Sequence, residues 1–229
     1  MLRLKKILSR PLKTAKPRSS SNGNPSAVKL TEVLKTQVPE NALEYCVNLW
    51  QEHPFSFKIT RSRNSCLGNY RFQNGHHTIT VNHDLNVYNF LVTYIHEVAH
   101  QRVFIFDRKK KTLPHGDEWK SRFRELMLPL LNEEVFPQEI LMPLSLHMRN
   151  PKASSTRDAQ LMRAFRAFDE NRKAAAIHLE DIELGQSFVF KKRIFKKLEA
   201  KRTRAVCIEI ASKRKYTIPL LAEIAPVDR

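Results

Sequence analysis

The sequence predicts an α+β fold in two parts, a helix-and-strand core followed by a small C-terminal β module. Three observations carry that prediction. An apolar stretch from Phe90 to Phe104 holds His96-Glu97-Val98-Ala99-His100 at a spacing that suits a helix. Ahead of it, Asn74-Gly75 separates two alternating segments and marks a β-hairpin. From about Glu183 onward the pattern changes to short strands divided by charged turns.

The elements follow in order. The first 31 residues contain no Asp or Glu and carry Arg3, Lys5, Lys6, Arg10, Lys13, Lys16, Arg18 and Lys29. Ser19 to Pro25 reads as flexible linker. Residues 1–27 are therefore expected to be a disordered basic arm, either a cationic tail for nucleic acid or an organelle transit peptide. Ile7-Leu8 is too short for the apolar region of a secretory signal. Folding is expected to begin near Val28, with helices over 30–35 and 42–52, the second repeating Leu43, Cys46, Val47 and Trp50. A strand is expected over 55–59, then the hairpin strands 69–73 and 76–81. His76 and His77 flank the tight turn and read as solvated histidines rather than metal ligands.

On a helix, residues four apart share a face, so His96 and His100 can grip one metal ion while Glu97 reaches a water on it. The bland alternative is one core histidine and one solvated one. Leu91, Ile95, Val98 and the stem of Arg102 form a buried stripe that weakens it, since unpaired polar groups in such a helix are costly. Catalytic zinc keeps three protein ligands and one open position. The metzincin spacing would need Gly at Val103 and His at Phe106, so it is absent. Two candidates remain for the third ligand: His115, at a loop-to-helix junction, and Glu118, on the first turn of the next helix. The macrodipole already favours an acid at Glu118, which leaves His115 the stronger candidate.

Between the second and third candidate ligands lies a charged loop with Lys109, Lys110 and Lys111, a candidate nucleic-acid contact close to the cleft. The helix from Asp117 turns Trp119, Phe123, Leu126, Met127 and Leu130 to the core, so Trp119 is not a base-stacking platform. Pro129, Pro137 and Pro143 should divide the next segment into short helices. Thr156 can cap a short helix carrying Leu161, Phe165 and Phe168. Strands are expected over 187–190, 193–198, 204–210 and 216–220. Lys191, Lys192, Arg193, Lys196, Lys197, Lys201, Arg202 and Arg204 there meet a single acid, Glu199, so a module with one cationic edge is expected. That edge either grips a nucleic-acid backbone or only blunts an exposed strand.

Composition sets the wider bounds. Forty Lys and Arg against 23 Asp and Glu give a net charge of +17 and a pI near 10.0. Such an excess favours a polyanionic partner, DNA or other nucleic acid first and anionic membrane second, over a merely soluble basic surface. Cys46, Cys66 and Cys207 are a sparse, odd set that points to a reducing compartment without a disulfide framework. No apolar run approaches the roughly 20 residues of a membrane span. A cytoplasmic location is expected, or an organelle if the arm is a transit peptide.

Several of these segments together carry a resemblance. Leu67-Gly68-Asn69-Tyr70, the strand Thr78-Ile79-Thr80-Val81-Asn82, Ile95-His96-Glu97-Val98-Ala99-His100 and His115-Gly116-Asp117-Glu118-Trp119-Lys120 occur in one order. The run from about Leu67 to Leu130 resembles the SprT-like zinc metallopeptidases, which include the Spartan protease of DNA–protein crosslinks. The resemblance implies a zincin-like metallopeptidase core holding one Zn2+ ion on His96, His100 and His115, with Glu97 as general base and a hairpin strand along the cleft edge. One departure is clear: many bacterial relatives end in a small zinc ribbon with paired cysteines, and this chain has none. The expected organisation is the arm 1–27, the metallopeptidase core 28–150, a helical linker 151–182 and a small basic β module 183–229. The expected function is a zinc-dependent metalloendopeptidase that acts on DNA-associated proteins. Its rivals are a nucleic-acid-binding protein with a structural or inactive metal site and a zinc hydrolase of non-peptide substrates. Intact Glu97 argues against the first rival, because a purely structural site has no use for that carboxylate.

Overall fold

The computed structural model describes residues 25–63, 66–107, 113–154, 158–169 and 177–227. The basic arm up to residue 24, the loop lysines Lys109, Lys110 and Lys111, and Thr156 lie outside them. Helix α1 (Pro25–Leu34) opens at Pro25, inside the segment expected to be a disordered arm. Proline suits a first helical position because its fixed φ is already helical and its missing N–H is not needed there. Helix α2 (Glu40–Glu52) follows, and Leu30, Leu34, Ala42, Cys46 and Trp50 from the two helices are buried.

Strands β1 (Ser56–Thr60), β2 (Gly68–Gln73) and β3 (His76–Asn82) form a sheet in the order β1-β3-β2. β1 runs parallel to β3, and β2 runs antiparallel to it. Asn74 (φ 51°) and Gly75 (φ 79°) supply the two left-handed residues that a type I′ turn requires. Ile79 and Val81 are fully buried, and β2 is left at the sheet edge next to the longest helix.

That helix, α3 (Val87–Phe106), is capped by Asn86, whose side chain accepts the Asn89 N–H at 3.0 Å. Phe90, Leu91, Tyr94, Ile95, Val98 and Ala99 are all buried, so α3 is apolar nearly all round and takes the centre of the first core. Helix α4 (Asp117–Met127) packs on it through Trp119, Phe123 and Met127. A 3-10 turn, Leu128–Leu130, leads toward α5 (Gln138–Arg149). Pro143 does not divide this segment: α5 runs unbroken through it. The carbonyl that loses its partner belongs to exposed Glu139, where water can reach it, while buried Ile140, Leu144 and Met148 anchor the helix. Helix α6 (Ala159–Arg166) is capped by Asp158, whose carboxylate accepts the Leu161 N–H at 3.3 Å, in place of the expected Thr156. Leu161 and Phe165 join the first core.

A second core gathers Leu179, Phe188, Phe195, Cys207, Ile218 and Ile224. It belongs to an antiparallel sheet of β4 (Ser187–Phe190), β5 (Arg193–Ala200), β6 (Arg204–Glu209), β7 (Lys215–Pro219) and β8 (Ala225–Pro226), ordered β7-β6-β5-β4-β8. This order corrects the expected cationic edge, because β5 is the middle strand and its lysines cannot line an edge. Lys197 is in fact 4% exposed, with Nζ donating to the carbonyls of Leu179 (2.8 Å) and Ile182 (2.6 Å). Exposed lysines occur both on strands, Lys196 on β5 and Lys215 on β7, and at turns, where Lys191, Lys192 and Lys213 adopt left-handed φ of 50°, 65° and 58°. Arg163 of α6 pairs with Glu180 at 2.6 Å, and Arg166 donates to the Leu221 carbonyl at 2.8 Å, so α6, packed in the first core, also bonds to the second part of the chain. No described helix is long and apolar enough to cross a membrane.

Candidate metal centre

Helix α3 presents His96 and His100 one turn apart, and the turn before α4 delivers His115. The Gly116 N–H donates to the Leu113 carbonyl at 2.9 Å, closing that turn, and His115 takes a left-handed φ of 61°. The three Nε2 atoms converge: His96 to His115 is 3.2 Å, His96 to His100 is 3.3 Å and His100 to His115 is 3.0 Å. Among the described residues, this is the group of histidines, cysteines and acids that could hold a metal ion. Glu118 is not in it. Nor is His77, whose Nδ1 lies 2.9 Å from the Tyr70 hydroxyl.

The triad fits a zinc ion. Each neutral imidazole has a single N–H, so three nitrogens facing one point cannot all find hydrogen-bond partners in one another. A cation at that point would engage all three lone pairs. Tetrahedral zinc with Zn–N bonds of about 2.0–2.1 Å keeps its nitrogens about 3.3–3.4 Å apart, close to the separations found here. Burial, with the neighbouring histidines adding to it, holds His96 well below its ordinary pKa. Burial and then His115 hold His100 down to about 3. Both rings are therefore neutral and carry the lone pair that a metal needs. Trp119 forms one wall, with ring centroids 4.6 Å from His96, 5.5 Å from His100 and 4.8 Å from His115. Its Nε1–H donates to the His96 carbonyl at 3.4 Å.

Glu97 is 6% exposed. Burial pushes its carboxyl up to about 8, opposed by a hydrogen bond from the Tyr70 backbone N–H and by the charge of Arg63. Gly68 has no role of its own in the sequence reading. A Cβ at that position would stand 2.6 Å from Glu97 Oε1 and 2.8 Å from Thr93 Cγ2. Only glycine lets the start of β2 close down on the carboxylate. The signal was the motif Leu67-Gly68-Asn69-Tyr70, but nothing local in it says which helix the glycine faces.

A cleft of about 110 Å3 opens beside this carboxylate, lined by Leu67, Gly68, Thr93, His96 and Glu97, and on other elements by Phe123, His147 and Ser154. His147, which the sequence also left unassigned, is 4% exposed. Its Nδ1 donates to Asp158 Oδ2 at 3.0 Å, and burial holds the ring below its ordinary pKa against that bond. Arg102 lies on the far side of α3, donating to the Leu49 carbonyl at 2.8 Å and pairing with Glu52 at 3.1 Å.

No curated protein and no solved structure matches the chain. Residues 29–137 match the SprT-like family, a stretch that ends before α5, α6 and the second sheet. That stretch contains the three converging histidines together with Glu97 and Gly68, so it is through the segment carrying the candidate metal centre that the chain is similar to the SprT-like family.

Proposed function

We propose that the protein is a zinc-dependent metalloendopeptidase, with one Zn2+ ion held by His96, His100 and His115 and with Glu97 as general base. The single observation that carries the reading is a cluster of three imidazole nitrogens directly beside a buried carboxylate in a cleft. The ion would supply Lewis acidity to the attacked carbonyl and lower the pKa of water beside it. Glu97 receives the proton of the attacking water on its carboxylate and returns it to the departing amine. Gly68 and the Tyr70 N–H hold that carboxylate at the cleft wall. The edge strand β2 offers backbone groups with which an extended peptide can pair.

The same reading makes 28–150 the peptidase unit, 151–182 a helical connection and 183–229 a basic accessory module. The charge of +17 favours substrates associated with DNA. Three free cysteines, Cys46, Cys66 and Cys207, favour a reducing, cytoplasmic compartment.

Metal analysis combined with a cleavage assay, with and without DNA, tests the proposal. Wild-type protein is expected to hold one zinc per chain and to cut an unfolded protein. Glu97→Gln is expected to keep the zinc and lose about 10²-fold or more in rate, the scale of a missing general base. Equal cleavage by the two would reject the mechanism. A zinc-loaded wild type inert on every substrate would favour a structural metal site.

A further inference from the structure

His147 stands on the last turn of α5, beyond the segment that matches the family. It nevertheless lines the same cleft as His96 and Glu97. A buried imidazole needs a place for both of its nitrogens. The Asp158 carboxylate can only accept, so Nδ1 carries the hydrogen, and Nε2 of the neutral ring presents a lone pair. Among the described residues, no hydrogen bond uses that Nε2. Nor is it sealed away, since the sealed side-chain atoms without partners are Arg63 Nη2 and Asn89 Oδ1. It opens onto the cleft.

The ring is also held still. Asp158 caps α6 with its other oxygen, and Lys152 Nζ lies 3.6 Å from Oδ2. Helix α6 is itself anchored in the core by Leu161 and Phe165. A histidine that lines a cleft, with one nitrogen fixed by a helix cap and the other in no hydrogen bond among the described residues, is arranged for a ligand rather than for packing alone.

We propose that His147 is a substrate-contacting residue, its Nε2 accepting a hydrogen bond from a main-chain N–H of the bound peptide, with Asp158 as the positioning residue. The inference rests on the peptidase reading given above. A peptide paired with β2 turns alternate N–H groups away from the sheet, and each of those needs an acceptor once water leaves the cleft. His147 comes from α5, not from the sheet, and supplies one.

Two substitutions separate this role from a structural one. Asparagine at 147 can still donate to Asp158 but does not reach the cleft. Glutamine reaches the cleft with an acceptor but gives up the Asp158 bond. Both are made in the zinc-loaded, full-length Glu97→Gln background. Binding of fluorescein-labelled β-casein is followed by anisotropy, with zinc content and melting temperature measured in parallel. His147→Asn is expected to weaken binding about tenfold with its zinc and melting temperature kept, while His147→Gln stays within about threefold, the scale of one hydrogen bond. Undiminished binding by His147→Asn, or parallel losses in both variants that track melting temperature, overturns the inference alone. If the Glu97→Gln parent itself binds no casein, the peptidase reading fails and takes the inference with it.

Discussion

Glu97 is confined by its neighbours more than by its own helix. The backbone of Gly68 lies so close that one added methyl would sit 2.6 Å from Oε1. Gly68→Ala is therefore expected to swing the carboxylate aside and cut cleavage about tenfold or more while leaving zinc bound, as kinetics and metal analysis on one preparation would read. An alanine variant with unchanged rate would mean the carboxylate finds its place without the glycine. The third ligand can be tested in the same way. His115→Ala is expected to lose zinc affinity far more than Glu118→Ala, measured by competition with a chelator, because only His115 brings a nitrogen to the triad. A site emptied by Glu118→Ala alone would reverse the assignment. The convergence of His96, His100 and His115 was legible in the sequence, because gathering three nitrogens at one point constrains both residue type and spacing. Gly68 and His147 were not legible, because each acts on a site made by elements distant in the chain.

At the scale of elements, the Asn-Gly hairpin and the apolar metal helix were legible because both depend on local rules, turn conformation in one case and periodic burial in the other. Pro143 misled because the cost of a missing N–H depends on what its orphaned carbonyl meets, and exposed Glu139 meets water. The lysines of β5 misled because strand order cannot be read from strand composition. The start of α3 is a place where one side chain serves two elements. Asn86 accepts the Asn89 N–H, and its amide donates to the Phe165 carbonyl at 2.7 Å and to Asp169 Oδ1 at 2.6 Å, joining the metal helix to the end of α6. Asn86→Ala is expected to destabilise the protein by about 1–2 kcal/mol, a helix cap plus the polar partners it abandons. Asn86→Asp keeps the cap but sets a second carboxylate against Asp169, so it should recover little of the loss. Thermal denaturation of both variants checks the pair, and full recovery by Asp would reduce the site to a simple cap.

At the scale of the whole molecule, Lys191, Lys192 and Lys213 place exposed positive charge at the turns of the second sheet. Binding to DNA is expected to weaken steeply with salt through counterion release. Reversing Lys191, Lys192 and Lys213 to Glu should lower affinity alike on all sequences and reduce the salt slope by up to about 3. An unchanged slope in titrations of the full chain would move the contact elsewhere, with Lys109, Lys110 and Lys111 next in line. The change to a strand-rich segment was legible from the change in sequence pattern near residue 183. The bonds of α6 to the second part, through Arg163 and Arg166, were not, because they depend on how already folded pieces meet. The packing of Trp119 has a consequence of another kind, in light rather than in energy. The chain holds two tryptophans, and Trp50 sits on α2 with its Nε1–H bonded to the Phe55 carbonyl at 2.8 Å. Trp119 alone lies against all three histidine rings, so filling or emptying the triad changes the surroundings of one indole and leaves the other as an internal reference. The protein thus carries its own optical indicator for any ion held by the triad, and ultraviolet emission is expected to report occupancy during a titration without any added dye.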